Sequence, residues 1–127
     1  MTNEAEVEAM RFVRRWAESH KIRVKDVSHE GLSYDYQFTY QNGKTDKVEV
    51  KGVSKPYGIP DMRVNEFLRK RLKADYLLIV ANIVSGKRRR LYKILREDIK
   101  PSNLKILHTY RITRFQGRRN MEKHRLV

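Results

Sequence analysis

Residues 33–52, SYDYQFTYQNGKTDKVEVKG, alternate apolar and polar side chains on either side of Gln41-Asn42-Gly43. That is the pattern of a β-hairpin. A two-residue loop at Asn42-Gly43 would put Asp35 and Glu49 on opposite faces of the sheet. A three-residue loop, with Gly43 left-handed after a type I turn, pairs Tyr40 with Lys44 and Asp35 with Glu49. A one-residue slip moves a strand's whole apolar set to the other face, so the side chains choose the register. The three-residue loop collects Tyr34, Tyr36, Phe38, Tyr40, Val48 and Val50 on one face. It leaves Ser33, Asp35, Gln37, Thr39, Thr45, Lys47, Glu49 and Lys51 on the other, with Lys44 and Asp46 as exceptions near the tip. This is the register we expect.

The chain before the hairpin has a helical period over residues 3–19. Placed at 100° intervals, Phe12, Trp16, Ala9, Val13, Ala17, Met10 and marginally Val7 form one apolar arc. Asn3 followed by Glu6 resembles a capping box. Glu6 falls inside the arc, whereas Glu4 and Glu8 fall opposite it with Arg11 and Arg15. An acid on a buried stripe calls for a partner; an acid in the first turn also suits the helix dipole. Residues 21–27 read as a strand and His29-Glu30-Gly31 as a turn. Residues 54–60, with two prolines and a glycine, read as a loop. Asp61 is then placed to cap a second helix reaching about Lys73, with Val64, Phe67, Leu68 and Leu72 on one side and Asn65 and Glu66 flanking it. The run YLLIVANIV over 76–84 has the composition of a strand buried on both faces, and residues 88–94 follow a turn as its hairpin partner. Strand-like pieces recur over 104–115 with no partner assigned, and 117–127 is a basic arm. The predicted order is α-β-β-β-α-β-β, an α/β (α+β) domain with a mixed sheet.

At 127 residues the chain suits a single domain, with a core over about 3–95 and a basic extension over 96–127. Twenty-nine Lys and Arg against 15 Asp and Glu give a formal charge of +14. Such an excess points to a polyanion, with nucleic acid ahead of an anionic membrane surface. No apolar run has the length of a membrane span, and the acidic start MTNEAEVEAM does not resemble a signal peptide. With no Cys there is no disulfide framework or thiolate chemistry. A cytoplasmic location is the expectation.

In the chosen register Asp35 and Glu49 stand side by side, about 5 Å apart at Cβ, with Lys51 two residues further along the same face. Like charges directly opposed on a strand pair are unfavourable unless something positive lies between them. A divalent cation would serve, and hard oxygen ligands suit Mg²⁺. The competing reading is the solvated face of an amphipathic hairpin. Weaker candidates for contacts to nucleic acid are Arg69-Lys70-Arg71 and Lys87-Arg88-Arg89-Arg90, which equally fit solvated faces. Tyr57 in the proline-bracketed loop could stack on a base or pack on the domain edge. His20, His29, His108 and His124 lack zinc-ligand spacing, and no phosphate-binding glycine loop is present.

A helix acid, then Asp, then E-x-K across a hairpin, then a helix and a buried strand resembles the PD-(D/E)XK nuclease superfamily. Within it, the chain is most similar to the C-terminal domain of the NO VEIN type. The stretches carrying the likeness are Glu6-Val-Glu-Ala-Met10, Lys25-Asp-Val-Ser28, Leu32-Ser-Tyr-Asp-Tyr36, Val48-Glu-Val-Lys51-Gly52, Asn65-Glu66 and Asp75-Tyr-Leu-Leu-Ile-Val80, all within about residues 6–95. Tyr34 stands where the superfamily pattern has Pro, and Ser33 where relatives often have Gly. The resemblance implies a restriction-endonuclease-like core. It implies Asp35 and Glu49 as ligands of Mg²⁺ (or Mn²⁺), with the carbonyl of Val50 and the carboxylate of Glu6 as further ligands. Lys51 would orient water or face the phosphate. The implied function is metal-dependent hydrolysis of DNA in defence, repair or recombination, and a homodimer is a candidate assembly. The alternative is a basic module that holds nucleic acid without cutting it.

Overall fold

The computed structural model describes residues 4–32, 34–54, 61–63, 73–83, 87–98, 104–106, 109–112 and 122–127. The chain starts with helix α1 (Glu4–Ser19), which buries Ala9, Val13 and Ala17 and packs Met10, Phe12 and Trp16 against the core. These lie on the arc expected from the sequence. The helix ends in a Schellman arrangement: the Ile22 N–H reaches the Ala17 carbonyl at 2.9 Å and the Lys21 N–H reaches that of Glu18 at 3.0 Å. Lys21 holds the left-handed position there, with φ 59°.

Strands β1 (Arg23–Asp26), β2 (Tyr36–Thr39), β3 (Thr45–Gly52), β4 (Asp61–Arg63), β5 (Tyr76–Ala81) and β6 (Arg90–Leu95) follow, then a 3₁₀ turn at Arg96–Asp98, β7 (Leu104–Ile106) and β8 (Thr109–Ile112). Five of them form one mixed sheet in the order β1-β2-β3-β5-β6. The pairs are antiparallel except β3 with β5, which run parallel. Every residue of the interior strand β5 is buried, as a continuous apolar run predicts. The architecture is α+β, with α1 packed against this sheet.

The β2–β3 hairpin adopts the three-residue loop. Tyr40 donates its N–H to the Lys44 carbonyl at 2.9 Å, Gly43 donates back to the Tyr40 carbonyl at 3.0 Å, and Gly43 has φ 86°. The Asn42 side chain accepts the Lys44 N–H at 2.9 Å, which closes the turn. Pairing runs from Thr39 opposite Thr45 to Tyr36 opposite Val48. Tyr36, Phe38, Val48 and Val50 join the core, together with Ala9, Val13 and Ala17 of α1. Burying side chains of this size contributes about 1.5–3 kcal/mol each. The Tyr36 hydroxyl donates to the Met10 carbonyl at 2.9 Å, and burial pushes its pKa up to about 12. That bond pins α1 to the hairpin one turn beyond Glu6.

Two expectations change. Asp61 does not cap a helix; Asp61–Arg63 is strand β4, antiparallel to β8, with Asp61 opposite Arg111 and Arg63 opposite Thr109. The ladder with β8 satisfies backbone groups that a cap would have served only locally. Lys73 is not helical either, and the rest of the expected second helix, residues 64–72, lies outside the described residues. The strand-like pieces over 104–115 find their partner in β4: β4, β8 and β7 form a second, three-stranded sheet. Residues of the basic extension also cover β6. Lys93 donates to the His124 carbonyl at 2.9 Å, Arg125 bridges to Tyr92, and Val127 packs on the core. Bonding there protects what would otherwise be an open sheet edge.

Helix α1 passes close over β3 at Gly52. A Cβ there would lie 3.2 Å from Ala9 Cβ, 3.4 Å from the Ala5 carbonyl oxygen and 3.6 Å from Ile83 Cγ1. Gly52→Val is therefore expected to overpack this contact and lower stability by about 1–3 kcal/mol, read as a lower denaturant midpoint at an unchanged slope.

Candidate functional site

The β2–β3 ladder stops at Tyr36–Val48, and Asp35 is the next residue outward. Its backbone is held from two sides: its N–H donates to the Val48 carbonyl at 2.9 Å and its carbonyl accepts the Val27 N–H at 2.9 Å. Its side chain then takes the place of a ladder acceptor. Oδ2 receives the Val50 N–H at 2.8 Å. The N–H and C=O of one strand residue point to the same side, so the Val50 carbonyl also opens towards the side on which Asp35 sits.

Around Asp35 the sequence-predicted residues converge. The Glu49 carboxyl lies near enough to that of Asp35 to act on its pKa. Lys51 Nζ lies 3.8 Å from Glu49 Oε1, with both side chains largely covered at 19% and 14% exposure. Burial pushes the Asp35 pKa up, and the nearby Glu6 carboxylate adds to this. The Val50 N–H, the Glu49 carboxyl and the Lys51 ammonium pull it back, and the net direction is upward. Gln37 is half-buried further along β2, opposite Lys47.

Glu6 shares with Asp35 the lining of an open groove of about 310 Å³. Glu8 faces elsewhere: it binds Arg11 at 2.6 Å and Arg89 at 3.3 Å. Arg89 also donates to the Ile83 carbonyl at 3.3 Å, and Arg90 pairs with Glu122 at 3.1 Å. These two arginines of the basic run thus serve ion pairs within the chain. Lys87 and Arg88 are exposed. Tyr57, Arg69, Lys70 and Arg71 lie outside the described residues.

The far wall of the groove was not read from the sequence. It consists of Asp26, Ser28 and His29. Asp26 Oδ1 accepts both the Ser28 N–H at 2.9 Å and the Ser28 hydroxyl at 2.6 Å. Burial pushes the Asp26 pKa up, but these two bonds and the nearby His29 and Arg14 outweigh it and hold the carboxyl below its usual value. Asp-x-Ser is the local signature of such an Asx turn, so the shape of this wall was legible, though not its place beside Asp35. Among the described residues, no three Asp, Glu, His or Cys side chains form a ready-made metal cage. Among them, too, no helix is long and apolar enough to cross a membrane.

The raised Asp35 pKa fixes a sign for pH dependence. A carboxyl whose folded pKa lies above its unfolded value stabilises the fold most when protonated, and that advantage is lost as pH rises from about 4 through the folded value. Asn at this position still accepts the Val50 N–H. Metal-free Asp35→Asn is thus expected to gain stability relative to wild type as pH rises from 4 to 7, as measured by urea titrations across that range. A constant difference would remove the burial account of Asp35.

Comparison of the chain with family models, with curated proteins and with solved structures returns no match to any of them.

Proposed function

We propose that the protein is a divalent-metal-dependent nuclease acting on DNA, built on a restriction-endonuclease-like core. The observation that carries this reading is the contact between two covered carboxyl groups, Asp35 and Glu49, beside Lys51 in a chain of charge +14. Two carboxyls this close need either a shared proton or a cation between them.

The residues fit a hard divalent ion. Asp35 and Glu49 offer carboxylate oxygens, the Val50 carbonyl opens to the same side, and Glu6 borders the approach. Mg²⁺ commonly takes one or two carboxylates and keeps several waters, so a closed cage is not required. When bound, such an ion supplies positive charge towards a phosphoryl oxygen and a water of lowered pKa. Lys51, held near Glu49, donates to a non-bridging phosphate oxygen or to the attacking water. Glu6 orients that water from the helix side. The hydrogen bond from Val50 to Asp35 fixes one carboxylate without a conformational search, which is the preorganisation that electrostatic catalysis needs. The excess of Lys and Arg draws the DNA in.

One observation favours the second reading, a binding module without hydrolysis. Within the cluster Asp35 accepts the Val50 N–H and Lys51 pairs with Glu49, as in a structural network.

Cleavage assays with Mg²⁺ and Mn²⁺ on duplex, single-stranded and branched DNA separate the two. Asp35→Ala and Glu49→Ala are expected to abolish cleavage and metal binding while DNA binding stays equal or grows stronger. Lys51→Ala is expected to lower the rate by about 10²–10³-fold and still bind the ion in calorimetric titration. Glu6→Gln is expected to slow cleavage and Glu8→Gln to leave it unchanged. Wild type that cuts none of these substrates with either metal would assign the cluster to structure.

DNA affinity is expected to fall steeply with salt, with a log–log slope of about −0.9 per phosphate neutralised on duplex. A flat salt dependence in an anisotropy titration would redirect the positive charge to another kind of partner.

A further inference from the structure

The groove beside Asp35 has a chemistry opposite to that of the chain as a whole. In a protein of charge +14, its walls carry Glu6, Asp26 and Asp35. Away from the ion held at Asp35, carboxylates repel phosphate, so the part of the groove beside Asp26 is not a track for the DNA backbone. It has a second character: Val7, 39% exposed, and the half-buried Met10 form an apolar strip on the α1 side. In the same lining, Asp26 is held by two bonds to Oδ1, while Oδ2 accepts no hydrogen bond among the described residues. His29 adds a flat ring at the rim. Apolar side chains and a carboxylate acceptor in one groove suit a flat ligand with apolar faces and a donor edge. A nucleobase with an exocyclic amine has that form, and carboxylates read cytosine through its N4 amine. At about 310 Å³ the groove is at the small end of ligand sites, about 300–1,000 Å³. It has room for one base and not for a base pair with its duplex.

We propose that this groove receives the unpaired base next to the phosphate held at Asp35 and Glu49, so that the substrate is single-stranded or frayed DNA. Asp26 accepts from the amine edge, and Val7, Met10 and His29 contact the base faces. Bases that present a donor edge are favoured, cytosine above all; thymine presents two carbonyls flanking one N–H and is disfavoured. This rests on the nuclease reading for the identity of the polymer, and its test is independent of cleavage.

The test is fluorescence anisotropy of wild type, Asp26→Asn and Val7→Trp with oligodeoxycytidine, oligothymidine and a duplex of equal length, at fixed salt and with Ca²⁺ as the only divalent ion. Wild type is expected to bind oligodeoxycytidine about 5–10-fold more tightly than oligothymidine. Asp26→Asn keeps an acceptor for Ser28 and is expected to bring that ratio to about one. Val7→Trp fills the groove from an exposed position and is expected to weaken both single strands and leave duplex binding as it was. Equal affinity of wild type for the two oligomers, or equal weakening of duplex and single strands by Val7→Trp, overturns the base site. So does competition by a short lysine-rich peptide that Val7→Trp abolishes, which would assign the groove to a protein side chain. Base preference without cleavage by Mg²⁺ or Mn²⁺ overturns the hydrolytic reading and leaves the groove assignment standing. Cleavage without base preference does the reverse.

Discussion

The arrangement of charged groups depends on one turn. Gly43, at φ 86°, closes a three-residue loop, and that loop sets the phase of both strands. With the phase set, Tyr36, Phe38, Val48 and Val50 go to the core. Asp35 and Glu49 are left where their carboxyls meet. A side chain other than Gly at 43 would strain this conformation, and a loop shorter by one residue would send Asp35 to the opposite face from Glu49. Register is thus the constraint from which the placement of the site follows. The helix supplies the remaining acid because Gly52 lets Ala5 and Ala9, which bracket Glu6 along the helix, approach β3 closely.

The molecule also separates its charges. Several arginines that read as free in the sequence are occupied within the fold: Arg89 by Glu8, and Arg90 and Arg125 by Glu122. The first of these ties α1 to the segment leading into β6, and the second ties the C-terminal residues to β6 itself. Half-exposed pairs of this kind contribute little stability each, about 0–1 kcal/mol. Glu8 is held by Arg11 and Arg89, whereas Glu6, two positions earlier on the helix, lines the groove.

Legibility in the sequence followed the range of the forces involved. The hairpin register was readable because a period of two leaves only two options and the aromatic residues choose one. The α1 arc and the buried β5 run were readable for the same reason: burial writes a periodic signal. The end of α1 at Ser19 was readable as well, although Lys21 and not glycine takes the left-handed position after it. Asp61 misled because its local capping preference was overruled by a partner strand almost fifty residues away in sequence, and no local pattern in Asp61-Met62-Arg63 announces that pairing. The Asp26–Ser28 wall falls between these cases. Its turn chemistry is local, but its neighbour across the groove comes from another element.

The bond between Val50 N–H and Asp35 Oδ2 makes the backbone of β3 a party to the charge state of the site. The two oxygens of Asp35 are not equivalent, since one is committed to a peptide group. Protonating or neutralising this carboxyl weakens a charge-assisted bond and alters the electron density on a main-chain amide. The Val50 amide proton therefore acts as a built-in spectroscopic gauge: its chemical shift in a nitrogen-correlated NMR spectrum moves with the ionisation of Asp35, with no label placed in the site.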